Sequence, residues 1–163
     1  MTVPLLGAAQ PLVTVTGSVS GPVGGVYTYS YTIENDPLST ESVWEFWVYP
    51  TVPFWGISQI IDPVTGWIAW DFLTDYASYI QWFSTDPSYD IPPGGSLSGF
   101  SYQSAGPPGT IGYEVGGSDP TWGWSTGNYA SGTTVGATPE PAAFLLLLTG
   151  IGGGLVYLRR KRS

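Results

Sequence analysis

Between residues 27 and 33 the chain reads YTYSYTI, so Tyr27, Tyr29, Tyr31 and Ile33 alternate with Thr28, Ser30 and Thr32. A period of two sets four large side chains on one face of an extended strand; a helix would scatter them. The same period returns along the chain. VWEFWVY, Val43 to Tyr49, puts Trp44, Phe46 and Val48 on one face and Glu45, Trp47 and Tyr49 on the other, predicting a strand with rings on both sides. GWIAWDF groups Ile68, Trp70 and Phe72, and SYIQWFS groups Ile80 and Trp82. LSGFSYQ follows the turn PPGG and carries Gly99 as a candidate bulge, TIGYEV aligns Ile111, Tyr113 and Val115, and an earlier strand runs from Leu12 to Ser20. About seven or eight short strands, separated by turn signals at roughly ten-residue intervals, predict an all-β chain with a single antiparallel β-sandwich over residues 10–124. A parallel α/β fold would need amphipathic helical stretches between the strands, and none is visible.

Composition removes whole classes of function. There is no Cys and no His, so thiolate catalysis, disulfides, Ser-His-Asp and Cys-His constellations and imidazole metal sites are absent. All four basic residues are Arg159, Arg160, Lys161 and Arg162, so residues 1–158 carry all twelve carboxylates and no cation. Such a domain forms no Lys or Arg salt bridge and neutralises no phosphate, which excludes nucleic acid as a partner. A Lys-Asn isopeptide crosslink is excluded for the same reason.

Three kinds of candidate chemistry remain. Asp62, Asp71, Asp75, Asp86, Asp90 and Asp119 are oxygen donors, with Asp86 and Asp90 in TDPSYD the best pair. None has EF-hand spacing, and three Asp-Pro steps favour turn initiation over a metal site. Paired carboxylates also run glycosidases, yet with no His, Lys or Arg to assist, the expectation is a non-enzyme without cofactor. The third is aromatic: eight Trp and eleven Tyr exceed the needs of a small core. Exposed Trp47, Tyr49, Trp55, Trp67 or Trp122 would form a platform on which sugar rings stack, weighed against plain core and cross-strand packing.

The ends carry the topology. Residues 142–158, AAFLLLLTGIGGGLVYL, hold no charge and as a helix span roughly 25 Å, near the lower limit for a transmembrane helix. RRKR follows directly, which orients the C-terminus to the cytoplasm and the acidic bulk to the far side. Pro139, Glu140 and Pro141, then this apolar run, then Arg159 to Arg162 at the extreme C-terminus closely resemble the PEP-CTERM sorting signal of Gram-negative bacteria. The resemblance covers the last 25 or so residues. It implies recognition of the triplet by an exosortase, a membrane-embedded cysteine protease, with residues 142–158 a temporary span and Arg159, Arg160, Lys161 and Arg162 the cytoplasmic stop. It implies inner-membrane residence followed by release to the cell surface or matrix, with exopolysaccharide a candidate partner.

Residues 1–9 read as the remnant of a signal peptide, with Leu5 and Leu6 ending an apolar run and Gly7 and Ala9 at the small-residue spacing of a cleavage site. Residues 125–138, rich in Gly, Ser and Thr, read as a flexible linker. The stretches YTYSYTIEN and IPPGGSLSGFSYQS loosely resemble immunoglobulin-like or fibronectin-like modules, a resemblance that implies a fold and no function.

Overall fold

A computed structural model describes residues 11–52, 56–74, 77–119 and 125–138, and the side chains of these except 71–78. Among the described residues nine strands follow in order: β1 Val13–Val23, β2 Val26–Asn35, β3 Ser42–Tyr49, β4 Ile57–Ile61, β5 Trp67–Thr74, β6 Ala77–Ser84, β7 Ser96–Ser104, β8 Pro108–Ser118 and β9 Ser125–Ala137. They form two antiparallel sheets, β1-β2-β7-β4 and β5-β6-β3-β8-β9. The expected β-sandwich is present, with β4 and β9 beyond the strands read from alternation.

The alternating residues become the core. Tyr29, Tyr31 and Ile33 of β2 and Phe100 and Tyr102 of β7 face Phe46 and Val48 of β3, Ile80 and Trp82 of β6, and Ile111 and Val115 of β8. Inward-pointing tyrosines must place a hydroxyl somewhere, and each reaches a backbone group. Tyr29 donates to Gly106 O at 2.7 Å, Tyr31 donates to Val135 O at 2.9 Å, and the Tyr102 oxygen accepts from Ala137 N at 2.8 Å. Rings and hydroxyls thus join the two layers. Gly99 is a bulge as its position suggested: φ is +102°, and the β2–β7 register jumps from Tyr31↔Phe100 to Thr32↔Ser98.

Residues 125–138 are not a linker. Ser125–Ala137 pairs with β8 from Ser118 to Pro108 as a thirteen-residue edge strand, so the sandwich extends to Thr138. Its small residues serve close packing: a Cβ on Gly136 would fall 2.1 Å from Ile111 Cδ1, and one on Gly132 would fall 2.6 Å from the Tyr113 hydroxyl. Thr51 N donates to Ala137 O and Thr138 N to Pro107 O, fixing the strand's far end.

Among the described residues no helix is long and apolar enough to cross a membrane. The triplet 139–141, the apolar run 142–158, the basic cluster 159–162 and residues 1–9 lie outside the described residues, as do Trp55 and Trp122.

Candidate functional site

The strand register assembles one surface that no single stretch of sequence contains. In the five-stranded sheet Phe46 and Val48 point inward, so Glu45, Trp47 and Tyr49 point outward. Cross-strand pairing sets Trp47 between Gln81 of β6 and Glu114 of β8, and Gly116 opposite Tyr129 of β9. Trp70 of β5 pairs with Gln81 and lies on the same face. The rings interlock: Trp47 stacks on Tyr79 at 5.4 Å and 10°, meets Tyr49 and Tyr129 edge-on at 6.5 and 6.4 Å, and Trp70 lies 6.1 Å from Phe83. Trp70 is 54% exposed, Ile68 43% and Tyr129 37%.

At the centre of these rings sits a carboxylate. Glu45 is 1% exposed; its Oε2 accepts from the Trp47 indole at 3.0 Å and from the Gln81 amide at 2.7 Å. Oε1 is sealed with no well-formed hydrogen bond. Gly116 makes room for it, since a Cβ there would fall 2.5 Å from both Cγ and Oε1. The Tyr129 phenol approaches the same carboxylate, and burial first and this neighbour second raise its pKa. Beside it the Tyr49 hydroxyl donates to Glu114 Oε2 at 2.7 Å; burial and that carboxylate hold the Tyr49 phenol well above its usual range.

Of the residues put forward for a sugar platform, Trp47 and Tyr49 come together on this face. Trp67 does not join them: it is 2% exposed, packs edge-on against Phe100 at 5.1 Å and donates its indole N–H to Tyr89 O. It sits at the start of an edge strand, where alternation alone leaves the choice of face open. Tyr79, Tyr129 and Trp70 complete the surface. The only signal for them was period two in their own strands, which gives a face but not its neighbours across the sheet.

The acidic residues have structural work. Asp86 caps the short 3-10 turn Pro87–Tyr89 by accepting from Ser88 N at 2.9 Å, and this bond lowers its pKa. Asp62 Oδ1 accepts from Ala69 N at 2.7 Å, covering part of the open edge of β5. Asp90 takes hydroxyl bonds from Ser84 of β6 and Ser118 of β8, beside a cavity of about 150 Å³ lined by Trp44, Asp86 and Pro87 among others. Among the described residues no three potential metal ligands group together.

Burial raises the Asp90 pKa above its ordinary 3.8, and repulsion from Asp86 adds to this against the pull of the two hydroxyls. Folding therefore favours the protonated acid. That contribution is complete below the unfolded pKa and is lost as pH rises through the folded one. Asp90→Asn is expected to raise the thermal midpoint near neutral pH by a few degrees at most, the group being half-buried, and to flatten the fall in stability as pH rises above about 4. Thermal melts of both proteins across that range check it; an unchanged slope would remove Asp90 as its source.

Comparison with solved structures agrees with this architecture. A protein from Nocardia farcinica, whose crystal structure reveals an immunoglobulin-like fold, superposes with a TM-score of 0.55 at 16% identity, covering 77% of this chain and 98% of that one. The fold is immunoglobulin-like. A cohesin module from a Clostridium perfringens family 33 glycoside hydrolase matches with a TM-score of 0.47 at 12% identity, over 80% of this chain and 99% of that one. No protein-family model matches the chain, and no curated protein matches it.

Proposed function

We propose that this chain is an exported, non-enzymatic surface or extracellular-matrix protein, sorted by an exosortase through its C-terminal signal. The observation that carries binding over catalysis is the outer face of the five-stranded sheet. It gathers Trp47, Tyr49, Tyr79 and Tyr129 around Glu45, in a domain with no His, Cys, Lys or Arg to serve as base, nucleophile or anion clamp. Rings on a rigid sheet recognise flat, partly apolar ligands. This favours a carbohydrate-binding module associated with exopolysaccharide as the form the matrix role takes.

Delivery rests on the order triplet, apolar run, basic end in residues 139–163. Before processing, the protein sits in the inner membrane with its C-terminus in the cytoplasm; afterwards it is at the cell surface or in the matrix. Mass spectrometry of the mature protein from an exosortase-bearing host is expected to find nothing beyond the Pro139–Pro141 triplet, and replacing the triplet by three alanines is expected to abolish processing. An intact RRKRS on mature wild type would instead identify a permanently anchored single-span protein.

A further inference from the structure

We infer that the outer face of the five-stranded sheet binds a polysaccharide whose sugars carry free amino groups. Sugar rings stack on Trp47, Trp70 and Tyr129, and ammonium groups pair with Glu114 and lie over the rings that cover the buried charge of Glu45. The inference rests on the reading of the domain as an exported binding module and adds the charge of its ligand.

The face is aromatic and open, with Trp70 and Tyr129 each more than a third exposed. Indole and phenol faces attract stacked rings, and they attract cations as well, through the negative face of the ring. Its charged groups, Glu45 and Glu114, are both acids, and residues 1–158 contain no cation to pair with either. A sugar hydroxyl also donates to a carboxylate, but an ammonium adds a full positive charge that both the ring faces and the carboxylates attract. The acid groups of a uronate or sulfated glycan meet repulsion that stacking must overcome, because no Lys or Arg is present to hold an anion.

The second observation is the state of Glu45. The side chain is sealed beneath the rings, and Oε1 has no hydrogen-bond partner of good geometry. A buried carboxylate without a cation is costly, and its field is little screened by water. A positive charge held above Trp47 and Tyr129 offsets that cost. The same argument disfavours a second copy of this chain as occupant, since face-to-face pairing would bring like charges together.

The test uses the full chain in a non-ionic detergent, with three probes of equal length: oligomers of glucosamine, of N-acetylglucosamine and of galacturonic acid. The glucosamine oligomer is expected to bind about tenfold more tightly than its acetylated counterpart, with the preference shrinking as salt is raised, and the uronate is expected not to bind. Trp70→Ala is expected to weaken both binders by about tenfold, whereas Glu114→Gln should cut the preference to about twofold and leave acetylated binding unchanged. Trp70 is exposed and Glu114 half-buried, and circular dichroism confirms that the variants fold. Equal affinity for the amino and acetylated forms would overturn the inference. So would an amino preference that survives both substitutions, the behaviour of diffuse attraction to an acidic protein. Wild type that binds no glycan while its tail is processed removes this inference and leaves sorting standing; tight amino-glycan binding with an unprocessed tail does the reverse.

Discussion

Raising the pH from 10 to about 12 is expected to unfold this domain in one cooperative step. Burial, first among the causes, holds the phenol of Tyr31 far above its ordinary 10 and pushes that of Tyr102 up to about 12. In the unfolded chain both ionise near 10. The folded state therefore favours the protonated phenols, a contribution complete below pH 10 and lost as pH climbs toward the folded values. Each group removes about 1.4 kcal/mol per pH unit in that window, so the pair removes roughly 3 kcal/mol per unit, against a total stability on the order of 5–15 kcal/mol. Tyrosinate absorbance and the β-sheet circular dichroism signal should change together. If the eleven tyrosines titrated smoothly near 10 while the fold persisted, the core hydroxyls would be open to water and the packing described here would be mistaken.

Trp82→Ala is expected to cost about 3–5 kcal/mol, more than any truncation on the outer face. Trp82 is fully buried on β6, stacks on Phe46 at 5.6 Å and 15°, and meets Phe100 of the opposite sheet edge-on at 5.8 Å. Its indole donates to Ile61 O at 3.1 Å, tying down β4, a five-residue edge strand. Removal leaves a cavity between the layers and a carbonyl without its donor. Trp82→Phe should retain most of the packing and lose mainly that bond, at about 1–3 kcal/mol, while Trp70→Ala should stay within about 0.5 kcal/mol. Urea denaturation of the three variants orders them; equal losses for Trp82→Ala and Trp70→Ala would contradict the assignment of inner and outer faces.

How much of this was legible depends on where each signal resides. Tyr29, Tyr31 and Ile33 alternate within one strand, so their shared face is written in consecutive residues, and Gly99 announces its bulge because its strand otherwise alternates. β9 was hidden for the opposite reason. An edge strand whose neighbours come within reach of its backbone has room for Gly, Ser and Ala, and these are also the residues of linkers. Trp47 and Tyr49 could be read as an outward pair from VWEFWVY alone. Their partners Tyr79, Gln81, Glu114 and Tyr129 come from three other strands, and only the register brings them together. Glu45 had no signal at all: an acid on a strand's second face reads as solvated, and its burial follows from rings that close over it.

The attachment of β9 bears on how the domain would carry mechanical load. A pull on the chain beyond Thr138 meets no slack, because Ala137 is tied to Thr51 and to the Tyr102 hydroxyl, and Thr138 to Pro107. Traction along the strand would have to shear the β8–β9 ladder from Pro108↔Ala137 to Gly116↔Tyr129 as a unit, sharing the force among many bonds. Traction across it would peel them one at a time. A domain tethered at this point resists best when the force runs along β9, so its orientation under flow would decide how firmly it holds whatever is bound to it.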